Sequence, residues 1–141
     1  MNTDAVAEIL ESLSPSRPGI SAELGRRGDA AYLLLTAASK PGRWAVVSTP
    51  GDRWFSLEID GGFSSDHLEE ETPDSEVMER LGVYVDLASD YVEKGAQVLS
   101  SSGLGRHSVR LTRTSGDEIV LRRSFGAQFR AAIKRGTRSN D

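Results

Sequence analysis

Arg53-Trp54-Phe55-Ser56-Leu57-Glu58-Ile59-Asp60-Gly61-Gly62 is the stretch whose reading decides the fold. Phe55, Leu57 and Ile59 fall on one side of an extended chain, and Trp54, Ser56, Glu58 and Asp60 on the other. That period of two is the pattern of a strand with one buried face and one polar face. Strands of this kind belong to antiparallel sheets. Gly61-Gly62 ends the strand. Upstream, Pro50-Gly51-Asp52 turns the chain out of a strand at Trp44–Ser48, and Lys40-Pro41-Gly42 turns it out of an apolar run at Ala31–Thr36 suited to burial on both faces. Turns this short exclude helical crossovers, which need a dozen residues or more. Further upstream, Ile20, Ala22 and Leu24 alternate weakly as a short strand before a turn at Gly25–Asp29.

Downstream, Phe63–Glu71 reads as a polar, acidic connection. It leads into the strongest helix signal in the chain. Thr72 is suited to the N-cap and Pro73 to the first helical position, while Asp74 and Glu76 face the positive end of the helix dipole. Val77, Leu81, Tyr84, Val85, Ala88, Tyr91 and Val92 share one face, and Gly95 closes the helix. Val98–Ser100 is a short strand. His107–Arg113 and Glu118–Arg123 form a hairpin about Ser115-Gly116-Asp117. At the two ends, Val6, Ile9, Leu10 and Leu13 make a helix capped by Thr3 and stopped at Ser14-Pro15. Phe125, Phe129, Ala132 and Ile133 make another, with residues 136–141 expected to fray. The expectation is one α+β domain over residues 1–141. It has a mainly antiparallel sheet of about five to six strands, a long central helix packed on it, and short N- and C-terminal helices.

A chain of 141 residues with 38% hydrophobic and 27% charged residues can bury an ordinary core. It has no cysteine, which excludes a disulfide framework, cysteine-ligated zinc and a cysteine nucleophile. The N-terminus lacks a basic segment, and Glu8 and Glu11 interrupt its apolar stretch, unlike a signal peptide. No run reaches the roughly 18–20 apolar residues of a membrane span. A cytoplasmic protein is expected.

The net charge of −4 conceals a polarity along the chain. Residues 58–93 carry twelve acids and one base, Arg80, whereas residues 94–141 carry ten bases and three acids. Either the two segments neutralise each other in the fold, or the acidic one is an interaction face.

Catalytic sets are hard to assemble from these residues. There are only two histidines, His67 and His107, and no Gly-x-Ser-x-Gly elbow. Asp66, His67, Glu69, Glu70 and Glu71 include legitimate metal ligands, but not at a spacing that aims them at one point. Gly103-Leu104-Gly105 leads into Arg106 and not into a helix, so no phosphate loop is expected. The arginines of the C-terminal third would suit a phosphate tract, yet the chain is acidic overall and has few aromatics for stacking bases. No cofactor, no metal and no nucleic acid are expected, and binding is favoured over catalysis.

The block from Arg53 through Ser64, with Glu69-Glu70-Glu71-Thr72-Pro73-Asp74 and the helix to Gly95, resembles small actinobacterial immunity proteins of polymorphic-toxin and secretion loci. That resemblance implies a cytosolic inhibitor that binds a cognate toxin stoichiometrically. The partner-binding residues expected on an acidic face are Trp54, Glu58, Asp60, Asp66, His67, Glu69, Glu70, Glu71 and Asp74. A basic toxin domain is the expected partner. Two further readings stay open: a chaperone-like adaptor for a secreted protein, and a small enzyme built on Asp60, Asp66, His67 and an arginine.

Overall fold

A computed structural model of the chain describes residues 2–51, 53–68, 73–100, 107–113, 116 and 118–123. Side chains are described for these residues except 66–68, 98, 100, 107 and 123. Ten elements follow one another: α1 (Thr3–Leu13), β1 (Ile20–Arg27), β2 (Ala30–Ala37), β3 (Trp44–Thr49), β4 (Trp54–Ile59), β5 (Phe63–Leu68), α2 (Asp74–Lys94), β6 (Gln97–Ser100), β7 (His107–Thr112) and β8 (Glu118–Arg123).

The strands form one sheet in the order β1-β2-β3-β4-β5-β8-β7-β6, with every neighbouring pair antiparallel. Two meanders, β1 to β5 and β6 to β8, meet where Phe63 pairs Arg123 and Ser64 pairs Arg122. This α+β antiparallel sheet with a long helix on it is the expected architecture, but it has eight strands, not five or six. The main omission was β5, read from sequence as a connection. Phe63-Ser64-Ser65-Asp66-His67-Leu68 has no apolar alternation, and its six residues pair β4 throughout because the Gly61-Gly62 turn returns the chain along it. Both glycines have positive φ, 88° and 85°, a backbone that other residues rarely adopt. The C-terminal helix read at Phe125–Ile133 lies outside the described residues, as does the N-cap read at Thr72.

The strand β1 runs three residues beyond the expected one, through the Gly25–Arg27 segment read as a turn. Gly25, Arg26 and Arg27 pair Tyr32, Ala31 and Ala30 there. The Tyr32 ring of β2 lies over Gly25, and a Cβ built at Gly25 would stand 2.3 Å from the ring's Cζ and Oη. Only glycine lets the ring settle there.

Alternation decides which face of the sheet is covered. Phe55, Leu57 and Ile59 are buried, as are Leu33 and Leu35 on β2 and Ala45 and Val47 on β3. The register places them side by side, with Leu33 against Val47 and Val47 against Leu57. Across this row lies α2, burying Val77, Leu81, Tyr84, Val85, Ala88, Tyr91 and Val92, the face read from the sequence, together with Leu87. The shorter α1 packs beside it through Val6, Ala7 and Leu10. Its start is capped by Asn2, whose side chain accepts from the Ala5 N–H at 2.8 Å. The cap expected at Thr3 is displaced because the Thr3 hydroxyl instead donates to the Asp29 carbonyl at 2.6 Å, tying α1 to the β1–β2 turn. Among the described residues no helix is long and apolar enough to cross a membrane.

Phe55 is fully buried, with the Arg80 guanidinium 5.1 Å from its ring centroid, whereas Met78 is 54% exposed one helical face away. Phe55→Ala is therefore expected to lower unfolding free energy by about 3–5 kcal/mol. Met78→Ala should change it by no more than about 0.5 kcal/mol. Urea denaturation of the two variants measures both.

Candidate protein-binding surface

Among the described residues, those expected on one acidic face lie on the β4–β5 hairpin and at the start of α2. Trp54 is half-buried at the start of β4, opposite Leu68 in the register, on the side of the strand away from Phe55. Asp66 and His67 pair Ser56 and Phe55 along β5. Asp74 is exposed at the start of α2. These four belong to one end of the β4–β5 hairpin or to the helix that follows it. Glu69, Glu70 and Glu71 lie outside the described residues.

Two members separate from that group. Glu58 is only 5% exposed, between Val46 and Ser64 in the sheet, so its carboxylate is an interior group and not part of an open surface. Asp60 is at the opposite end of the hairpin. Four residues separate it from Ser56, the partner of Asp66, a span of about 13 Å along a strand. An enzyme site joining Asp60 to Asp66 and His67 is thus not assembled by the register.

Asp60 instead forms a polar knot where β3 and β4 meet the end of α2. Its Oδ1 accepts from the Trp44 N–H at 3.0 Å and from the Tyr91 hydroxyl at 2.7 Å. The Arg43 guanidinium lies 5.6 Å from the Tyr91 ring centroid. Gly95, with φ of 84°, ends α2 beside it; a Cβ there would stand 3.2 Å from Arg43 Nη2. Burial, then the bond to Asp60, hold the Tyr91 hydroxyl far above its usual range and keep it neutral. A neutral phenol donating to a carboxylate that also caps a strand is a structural latch. The same end of α2 carries a second clamp, in which Arg17 Nη1 reaches Asp90 at 2.8 Å and Glu93 at 2.9 Å. Those carboxylates hold the Arg17 pKa above its ordinary value. Through this clamp the segment between α1 and β1 is fastened to α2. Neither contact was read from the sequence, since the partners are 31 and more than 70 residues apart.

The distribution of acid is most one-sided on the helices. Together α1 and α2 hold nine acids and two bases, Arg80 and Lys94. Some of these acids are spent. Asp90 and Glu93 hold Arg17, Asp86 lies 3.7 Å from Arg113, and Asp4 pairs with Arg26. Glu8 and Glu11 on α1 and Glu76 and Glu79 on α2 are exposed and make no ion pair among the described residues. Met78, 54% exposed, lies on the flank of α2 next to Glu79. Helical spacing carried the signal for this surface, because these positions fall off the apolar stripes of Val6–Leu10 and Val77–Leu81–Val85. The charge test posed by the sequence therefore resolves in two parts. Among the described residues, the acids toward the C-terminal end of α2 are partly neutralised, by Arg17 and Arg113, whereas Glu76 and Glu79 near its start make no ion pair.

Among the described residues no three His, Asp or Glu side chains are grouped to hold a metal ion. Comparison of the chain with protein-family models, with curated proteins and with solved structures found no match in any of the three.

The latch has a pH signature. An unfolded tyrosine ionises near pH 10, whereas Tyr91 in the fold stays protonated beyond it. The unfolded chain then binds fewer protons than the native one, so stability must fall as pH rises past about 10, by up to about 1.4 kcal/mol per pH unit. Tyr91→Phe is expected to lose about 1.5–3 kcal/mol at neutral pH with the hydrogen bond to the Asp60 carboxylate. It should also flatten the decline above pH 10. Denaturant titrations of both proteins between pH 7 and 11 measure the two effects.

Proposed function

We propose that this chain is a cytosolic protein-binding domain that inhibits a basic partner by stoichiometric binding, as the resemblance to immunity proteins implies. The observation that carries the reading is the helix layer, with its excess of acids and with Glu8, Glu11, Glu76 and Glu79 exposed outside any ion pair among the described residues. An uncompensated acidic surface raises the encounter rate with a basic partner and penalises acidic competitors. Charge alone gives little affinity once salt screens it. An apolar contact is needed as well, and Met78, adaptable and 54% exposed, supplies one on the flank of α2 next to Glu79. Asp74, exposed at the start of α2, extends the proposed contact along the helix, whereas Trp54, on the opposite face of the sheet from the helices, stands apart from it. Glu58, buried in the sheet, and Asp60, held by Trp44 and Tyr91, have no part in it.

The resemblance names the class of partner: a toxin domain with a basic active-site surface, such as one acting on nucleic acid or nucleotides. The inhibitor needs no cofactor for this, only complementary charge and shape.

Co-expression with the product of the neighbouring toxin-like gene is expected to yield a 1:1 complex whose dissociation constant rises with salt. Reversal at Glu76→Lys with Glu79→Lys should weaken it by about tenfold or more, mainly through slower association, while the free domain stays folded with a slightly lower thermal midpoint, because Glu76 faces the positive end of the α2 dipole. Surface plasmon resonance over a salt series measures this. A complex indifferent to both salt and the reversal would remove the acidic surface from the mechanism.

A further inference from the structure

Among the described residues no strand pairs the outer edge of β1. Its eight residues pair β2 without a bulge or a proline, and β1 is the terminal strand of the sheet. The segment Ser21–Leu24 is exposed, and Leu24, at 39%, is among the large apolar side chains left in solvent. An edge this long, with no strand paired to it among the described residues, is a template for another strand.

Which backbone groups face outward follows from the ladder. The Ala38 N–H donates to the Gly19 carbonyl at 2.9 Å, one step beyond the Ile20–Ala37 pair, so Gly19–Ala38 is a hydrogen-bonded pair. Such pairs alternate in an antiparallel ladder. The odd positions Ser21, Glu23, Gly25 and Arg27 therefore turn their backbone groups to β2. Ala22, Leu24 and Arg26 turn theirs to the open edge.

The side chains choose the occupant. Two copies of β1 related by a two-fold axis must pair residues of the same parity if the covered faces of the two sheets are to stay on one side. Centring the axis on Glu23 or on Arg26 sets like charges directly opposite each other. Centring it on Leu24 pairs no charges. Centring it on Gly25 sets Glu23 opposite Arg27 of the other copy, twice over, and Leu24 opposite Arg26. The two Glu23–Arg27 positions are then the closely spaced, non-hydrogen-bonded pairs, with Cα atoms about 4.5 Å apart. Arg27 keeps its contact within its own chain, and a guanidinium has donors for a second carboxylate. The Gly25 residues face each other on the axis, where the missing Cβ atoms leave space for the Tyr32 rings lying over them.

We propose that the chain forms a symmetric dimer by antiparallel pairing of β1 with β1 of a second copy, in the register centred on Gly25, joining two sheets into one continuous sheet. Leu24 and Arg26 exchange the central hydrogen bonds. Paired Glu23 and Arg27 fix the register. The acidic helix layer remains open in this dimer, since it lies over the face of the sheet and not at its edge.

Sedimentation velocity over a concentration series is the test. The unaltered protein is expected to sediment as a dimer that dissociates on dilution. Glu23→Arg, which turns both cross-strand pairs repulsive, should raise the dissociation constant by about tenfold or more. Adding Arg27→Glu to that variant restores opposite charges and should restore dimerisation. Leu24→Pro removes an outward-facing N–H from a position that donates nothing to β2, and is expected to be monomeric with an unaltered circular dichroism spectrum. A protein monomeric at every concentration overturns the proposal. So does a dimer indifferent to Glu23→Arg, or a charge swap that fails to recover what the single variant lost.

Discussion

One face of a twisted antiparallel sheet must be hidden from water, and α2 hides it. The 21-residue helix spans about 31 Å, long enough to lie across several strands. Its buried stripe meets the row built by Leu33, Val47 and Leu57. Each of those strand residues is aligned with the next by register, so a slip of one position would turn the whole row outward and strip the helix of its seat. Packing of α1 beside α2 and the tie from Thr3 to the β1–β2 turn both follow from where that seat lies.

Polar contacts add direction to this burial. Hydrophobic area alone would let α2 slide or rotate on a surface of similar side chains. The Asp60–Tyr91 bond and the Arg17 clamp on Asp90 and Glu93 fasten its C-terminal half to β3, β4 and the segment before β1. At its other end the helix starts at Pro73 with no side-chain cap, and its first turn carries exposed Asp74, Ser75 and Glu76. The two ends thus have different roles. One anchors the helix, and the other presents charge.

That division redistributes the acidic segment seen in the sequence. A linear count treats twelve acids between residues 58 and 93 as one feature. Folding sends Glu58 into the sheet, Asp60 into a latch, and Asp90 and Glu93 to Arg17, while Glu76 and Glu79 stay outside. Helical spacing made the last pair legible, because a 3.6-residue period assigns a face to each position without reference to any partner. Burial of Glu58 was not legible. Its alternation gave the correct side of β4, away from Phe55, but the period of a strand says nothing about whether that side is covered.

Local pattern by itself determined the α+β class, the antiparallel meander, the inward set Phe55, Leu57 and Ile59, and the buried face of α2. Those outcomes depend on periodicity and turn chemistry, which act over a few residues. Tertiary structure alone decided that β5 is a strand, that β1 continues through Gly25, and that β5 meets β8 to join the two meanders. A strand of weak intrinsic preference forms when a neighbour offers it a ladder, and a glycine stays extended when a ring from the next strand occupies its missing side chain. Such partners are supplied by the folded molecule, and no window of the sequence contains them.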